Sequence, residues 1–222
     1  GGKDPGTHGK FTNEKDITLT VAKKFGSYIK QYLPDVEVIY TRSTDTFVEL
    51  EDRAAIANKT EADVFVSVHA NAISKPTIYG TETYVMGLHK TEGNFDVAKR
   101  ENSVILYEEG YEEKYQGFDP NSAESVILFS LSQSANLENS LNLATKVETQ
   151  FGTRAGRKSR GVKQAGFWVL WRTSMPSILV EIGYLTNAKE EKELNDGSVQ
   201  ANIASGLFRA FRDYKNEIEA LN

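Results

Sequence analysis

The chain has 222 residues, of which 26 are basic and 31 acidic, so its formal net charge is −5. This balance argues against a nucleic-acid-binding protein, because such proteins present a basic surface. The chain has no cysteine, which excludes disulfides, thiol nucleophiles and cysteine-ligated metals, and no apolar run approaches the roughly 18 residues that would cross a bilayer.

The first part of the chain alternates between helical and strand patterns. Apolar residues recur at helical spacing after a Gly-rich start, and Thr12 or Asn13 is placed to cap this first helix, with Glu14 in its first turn. A strongly β-branched run ends at His69, which predicts a buried strand. The elements predicted here are a helix over 17–32, a strand over 36–40, a helix over 48–59 and a strand over 64–68.

The second part continues the alternation around one atypical segment. Residues 87–134 stand apart as an insert that is expected to be helical, and the stretch 100–124 within it carries seven acids and two bases. The alternation predicts an α/β single domain with a mostly parallel twisted sheet flanked by helices, and a ligand site at the carboxyl ends of its strands. The elements predicted outside the insert are strands over 81–85 and 177–180, a helix from about Leu137, and helices over 188–194 and 199–218.

Three side chains are candidates for chemistry. Glu181 follows an apolar strand, where a carboxylate is costly unless it is paired, metal-bound or catalytic. His69 ends another such strand, although a structural histidine held by hydrogen bonds would show the same pattern. Glu14 is also explained by the preference of acids for the first turn of a helix. Zinc hydrolases use histidine and carboxylate ligands with a further carboxylate as base, and these three residues supply most of that set. His8 lies in the Gly-rich loop and is expected at the surface.

A basic run over 154–163 contains five cations and no acid. A solvated loop after a helix is the simpler interpretation. Attraction to an acidic substrate or to an acidic partner surface is the functional one.

Six short motifs occur in an order that resembles the catalytic domain of the zinc-dependent N-acetylmuramoyl-L-alanine amidases of bacteria. The resemblance covers nearly all of the chain outside the insert. The motifs are Gly1–Gly6, Glu14–Asp16, Thr41–Arg42 with Asp45, Arg53–Asn58, Ser67–Asn71 and Val180–Asn187.

The resemblance implies hydrolysis of the amide bond between N-acetylmuramic acid and L-alanine in peptidoglycan, outside the cytoplasm, in the periplasm or in secreted form. It implies Zn²⁺ as cofactor, with Glu14 and His69 as metal ligands and Glu181 as the catalytic base. The family's other ligand histidine directly precedes the opening Gly-Gly, so the third ligand is expected just before Gly1, together with the family's first strand. With Glu14 and His69 alone, we expect weak zinc binding, because catalytic sites use three protein ligands.

Some members of this family carry an inserted helix that blocks the active site until an activator protein displaces it. The insert over 87–134 occupies the corresponding place, and the resemblance makes Glu101 the first candidate for the blocking residue, with Glu124 a distant second. A solvated acidic helix or a wall of the substrate groove is the alternative. Two other functions also remain open: a catalytically silent peptidoglycan-binding module, and a zinc peptidase of related fold that acts on ordinary peptides.

Overall fold

The computed structural model describes residues 1–89, 91–130 and 136–221. Within that part of the chain, no helix is both long and apolar enough to span a membrane. The elements are α1 (Glu14–Tyr32), α2 (Leu50–Lys59), β1 (Phe65–Asn71), β2 (Thr81–Met86), α3 (Glu92–Asn102), a 3₁₀ turn (Ser103–Tyr107), α4 (Tyr111–Lys114), α5 (Ala123–Ser130), α6 (Leu137–Thr153), β3 (Ser159–Ala165), α7 (Trp168–Trp171), β4 (Ser177–Tyr184), α8 (Ala188–Leu194) and α9 (Gly197–Leu221).

The four strands form one mixed sheet in the order β1-β4-β2-β3. The pairs β1·β4 and β2·β3 are parallel, whereas β2·β4 is antiparallel. The prediction of an α/β domain with a mostly parallel sheet is therefore confirmed. The sequence pattern missed β3, because Arg160, Gly161 and Lys163 interrupt its apolar alternation.

Helices cover both faces of this sheet. Ile17 and Val21 of α1 pack with Leu143 of α6 and Leu207 of α9 on one face. On the other face, α2, α7 and the insert cover a second apolar cluster that contains Tyr84 of β2. Burial of these side chains supplies the main driving force for folding.

The predicted strand over 36–40 is wrong, because this segment forms no strand. Ile39 and Tyr40 line one side of a groove of about 550 Å³, and the outer edge of β1 lines the other side. In the described part of the chain, β1 pairs only with β4. An extended segment becomes a strand only where a neighbour completes its hydrogen-bond ladder, and the groove separates these two segments.

The insert predicted over 87–134 is helical, but it is not a solvated acidic helix. Position 90 and positions 131–134 of it lie outside the described residues. The remainder forms α3, the 3₁₀ turn, α4 and α5, and buries Ile105 and Tyr115 in the second apolar cluster. The insert is therefore part of the core rather than an appendage to it.

The basic run over 154–163 is not a solvated loop either. The Arg157 side chain is 4% exposed and forms ion pairs with Glu190 and Glu193. The same Glu190 carboxylate accepts hydrogen bonds from the backbone N–H groups of Gly80 (3.0 Å) and Tyr184 (2.7 Å). Arg157 thus neutralises a buried carboxylate that ties α8 to the turn before β2 and to the end of β4.

Replacing Arg157 with methionine should lower the free energy of unfolding by about 3 kcal/mol, because it leaves the buried Glu190 carboxylate without its cation. Urea unfolding followed by circular dichroism would measure the change. The matched control is Lys158→Met, which removes an exposed neighbouring cation and should cost less than about 1 kcal/mol. Equal free energies of unfolding for the two variants would contradict the structural role of the Arg157 ion pairs.

Candidate functional site

The candidate site lies where β1 and β4 end, and three residues form a row across adjacent strands. His69 of β1 is in register with Glu181 of β4, and Glu181 is in register with Glu82 of β2. Residues in register on neighbouring strands direct their side chains to the same face of the sheet. The strands alone therefore bring His69 and Glu181 together, as expected for the carboxyl ends of parallel strands.

Two carboxylates approach His69 from helices. The Nδ1 atom of His69 lies 3.0 Å from Oε1 of Glu14 and 2.8 Å from Oε2 of Glu101. Glu14 is fixed in place because its carboxylate accepts hydrogen bonds from the backbone N–H groups of Thr7 (2.7 Å) and Ala70 (3.0 Å). One donor atom from each of His69, Glu14 and Glu101 lies within 4.8 Å of the others, so the three form a compact potential metal site.

The electrostatics of this cluster favour positive charge at His69. Burial opposes a charged imidazole, but Glu101 and Glu14 outweigh it and raise the pKa of His69. Burial likewise opposes ionisation of Glu101, but His69 and Arg100 lower the pKa of Glu101 to about 2. The converging carboxylates therefore stabilise a cation at this point.

The donor set suits zinc. Zinc binds imidazole nitrogen and carboxylate oxygen in tetrahedral sites, and each of the three residues offers such an atom. The other ring nitrogen of His69, Nε2, lies 2.9 Å from Oγ of Ser67. A hydrogen bond to the second ring nitrogen is the usual way in which a ligand histidine is oriented. The residues present therefore fit a zinc ion.

Glu181 is a buried carboxylate beside this cluster. It is fully buried, and both of its carboxylate oxygens lack a hydrogen-bond partner in the described chain. Burial, reinforced by the negative charge of Glu101, raises the pKa of Glu181 well above its usual value. Arg100 forms an ion pair with Glu181, with its Nη2 lying 3.6 Å from Oε1 of Glu181. A carboxylate with a raised pKa can both accept and return a proton near neutral pH.

The last turn of α3 covers this site. Arg100 donates hydrogen bonds to the carbonyl of Ala72 (2.9 Å) and to Oδ1 of Asn71 (3.0 Å), while the adjacent Glu101 reaches His69. The next residue, Asn102, donates to the carbonyl of Gly166 (2.8 Å) and accepts from the backbone N–H of Trp168 (2.8 Å). The end of α3 is thus fastened to the site and to the core together.

Two residues that the sequence raised as weaker candidates lie elsewhere. His8 is exposed and its Nδ1 bonds Oδ1 of Asn13, so it is not part of the cluster. Glu124 is exposed and bonds Ser122. Sequence reasoning missed Glu82, which is buried beside Glu181. The available signal was a carboxylate within a β-branched and aromatic run, the same signal that identified Glu181.

Comparisons with known proteins all find N-acetylmuramoyl-L-alanine amidases. The family model described as N-acetylmuramoyl-L-alanine amidase matches residues 1–213. The chain is 30% identical over 221 residues to the amidase AmiC of Escherichia coli O6:H1, covering 96% of this chain and 50% of AmiC. It is 31% identical over 218 residues to AmiA of Escherichia coli K12, covering 96% of this chain and 73% of AmiA.

Solved structures show the same fold. The catalytic domain of the amidase CwlV from Bacillus (Paenibacillus) polymyxa var. colistinus superposes with a TM-score of 0.71 at 30% identity, covering 97% of this chain and 93% of that domain. An N-acetylmuramoyl-L-alanine amidase from Clostridium difficile 630 gives 0.71 at 28% identity, covering 97% and 92% of the two chains. The family that the six motifs suggested is thus confirmed, and this chain belongs to the N-acetylmuramoyl-L-alanine amidases, a family of hydrolases.

Proposed function

We propose that this domain hydrolyses the amide bond between N-acetylmuramic acid and L-alanine in peptidoglycan, with zinc as its cofactor. The observation that carries the proposal is the convergence of Glu14 and His69 beside the buried carboxylate of Glu181, whose oxygens have no hydrogen-bond partner in the described chain. Metal-assisted hydrolysis requires metal ligands and a base at one point, and these residues supply two of the three ligands and the base. The substrate places the domain in the periplasm or outside the cell.

Glu14 and His69 would hold the zinc together with a third ligand directly before Gly1. The groove beside β1 supports this arrangement, because Gly1, Glu14 and His69 all line it. A strand that ends at Gly1 and pairs with the outer edge of β1 would fill the groove and direct its last residue towards the ligands. Such a strand would also give the extended segment over 36–40 the neighbour that it lacks.

Bound zinc would lower the pKa of a water molecule and polarise the scissile carbonyl. The chain's own side chains carry out the proton transfers. Glu181 accepts the proton of the attacking water and then delivers a proton to the nitrogen of the departing L-alanine. Its burial keeps bulk water away from the carboxylate, and its raised pKa makes it a stronger base for the first step.

The insert inhibits the enzyme in this arrangement. Glu101 is a tethered anion at the metal site, so it competes with water and substrate at high effective concentration. Arg100 lies against Glu181 at the same time, which opposes its action as a base. We propose that an activator protein binds the insert and withdraws the end of α3 from peptidoglycan's binding site.

Glu14→Gln and His69→Ala should each lower the zinc affinity of the full-length protein by at least about tenfold, because each removes a direct ligand and loss of even an outer-shell partner costs that much. Zinc retained after dialysis against a chelator would be measured by atomic absorption. The control is Glu37→Gln, which changes an exposed glutamate. Full zinc retention by Glu14→Gln would remove Glu14 from the ligand set.

The activity itself is tested on purified peptidoglycan. Zinc-loaded full-length protein with the insert released should liberate stem peptides with a free L-alanine amine, which mass spectrometry identifies. Binding without release would favour a silent wall-binding module. Cleavage of free stem peptides would favour a peptidase.

A further inference from the structure

Glu82 is a buried carboxylate to which the proposed reaction assigns no role, and four side chains converge on it. Its Oε1 atom accepts from Nε of Arg160 (2.7 Å), Nζ of Lys163 (2.6 Å) and the hydroxyl of Tyr184 (2.7 Å). Its Oε2 atom accepts from the hydroxyl of Tyr84 (2.7 Å). Glu82 itself is 1% exposed, so it is the buried acceptor that these four side chains share.

The cluster carries excess positive charge. Burial raises the pKa of Tyr84 and of Tyr184, so both phenols are neutral donors. One carboxylate therefore faces two cations, and within the described residues no second carboxylate forms an ion pair with Arg160 or Lys163. A surplus cation next to a hydrolytic site attracts an anion.

Arg160 and Lys163 can reach a ligand. Their side chains are 27% and 25% exposed, whereas Glu82 beneath them is buried. Arg160 donates to Glu82 through Nε, and its guanidinium lies 5.8 Å from the centre of the Tyr184 ring. Terminal guanidinium nitrogens held in a fixed plane suit a carboxylate, which they bind through two parallel hydrogen bonds.

The cluster continues the row of residues that forms the site. His69, Glu181 and Glu82 follow one another across β1, β4 and β2, and Arg160 and Lys163 lie on β3, the next strand. Neighbouring strands are about 4.8 Å apart, so β3 lies about two strand spacings from Glu181. One residue of an extended peptide spans about 3.3 Å, so a stem bound across the strands reaches β3 within its first few residues.

We propose that Arg160 and Lys163, held in place by Glu82, bind a carboxylate of the peptide stem and so select acidic stems. The proposal rests on the proposed amidase function and adds to it the part of the substrate that is recognised. Arg160 makes the direct contact, whereas Glu82 is a positioning residue that fixes the guanidinium plane.

The test uses two muramoyl peptides that differ only in the second stem residue, whose α-carboxylate is free in one and amidated in the other. Zinc-loaded full-length protein should prefer the free acid by about tenfold in kcat/KM, mainly through KM, as a partly exposed charge-assisted contact allows. Arg160→Gln should reduce this preference to less than about twofold, and Arg160→Lys should keep only part of it, because lysine supplies the charge without the planar pair of donors. The ratio of kcat/KM for the two substrates does not depend on the insert, because the insert blocks the site equally for both.

Arg212→Gln is the matched control. Arg212 is a partly exposed arginine paired with one carboxylate, Asp213, on α9, which packs on the opposite face of the sheet. This variant should keep the wild-type preference. Lys163→Gln serves as a second variant if Arg160→Gln does not fold, as judged by circular dichroism.

Equal hydrolysis of the two substrates by the wild-type protein, or an unchanged preference in Arg160→Gln, would overturn the inference and leave the amidase proposal intact. Failure to cleave either substrate would instead count against the amidase proposal. In that case equilibrium binding of the same pair, measured by calorimetry, gives the comparison without turnover, and equal affinities would overturn the inference.

Discussion

Glu181→Gln should lower kcat for muropeptide hydrolysis by about 10²–10⁴-fold, the range expected when a general base is lost. Glutamine has nearly the same shape, and neither Glu181 oxygen has a hydrogen-bond partner to lose in the described chain. Zinc content and thermal stability should therefore stay close to those of the wild type. Hydrolysis would be followed by chromatography of the released stem peptides, with zinc measured on the same samples.

Glu148→Gln is the control for this experiment. Glu148 is also a buried glutamate of the sheet region, but hydroxyls of Thr81, Thr83 and Ser159 bond it on the face opposite Glu181. Its substitution should leave hydrolysis unchanged. Near-normal turnover by Glu181→Gln would mean that some other group takes the proton.

Glu101→Ala should raise the basal hydrolysis of peptidoglycan by about tenfold to a hundredfold in the absence of any activator. The substitution removes the anion that lies 2.8 Å from His69, and one charge-assisted contact contributes about 1.5–3 kcal/mol. Zinc should be retained by the full-length protein, because Glu14, His69 and the ligand before Gly1 remain. This separates a blocking role from a ligand role for Glu101.

A point substitution is preferable to deletion of the insert. Deletion of residues 94–130 would remove Ile105 and Tyr115 from the core and would confuse loss of inhibition with loss of the fold. Asp96→Ala, an exposed acid on the same helix, controls for the change in helix charge. Unchanged or lower activity in zinc-loaded Glu101→Ala would favour a role of the insert in substrate binding.

The sequence predicted those parts of the fold that depend on local pattern. The strands that end near His69 and Glu181 were readable from β-branched runs, and parallel pairing of such strands places their ends together. The segment over 36–40 has an equally good strand pattern, but a ladder needs a partner, and local sequence does not encode whether one is present. The chemistry of zinc hydrolases grouped Glu14 with these two residues, and the resemblance assigned it the role of a metal ligand.

Composition misled where acidic or basic side chains are buried. Glu108 in the insert is 4% exposed, because it accepts a hydrogen bond from the backbone N–H of Leu50 at the start of α2 and another from the hydroxyl of Tyr115. Arg157 is buried by its ion pairs in the same way. Such partners are distant in the sequence. A count of charges along a segment therefore predicts solvent exposure even where the fold supplies a hydrogen-bond or ion-pair partner.

The pairing of β1 with β4 has a consequence for how the domain folds. His69 and Glu14 already lie 55 residues apart, and β4 comes from near the end of the chain, although it sits between β1 and β2 in the sheet. Contacts between segments that are distant in sequence carry a large loop-closure entropy and form slowly. While β4 is still unfolded, His69 has no Glu181 beside it, so the proposed hydrolytic centre is not assembled in a chain that is only partly synthesised or partly folded.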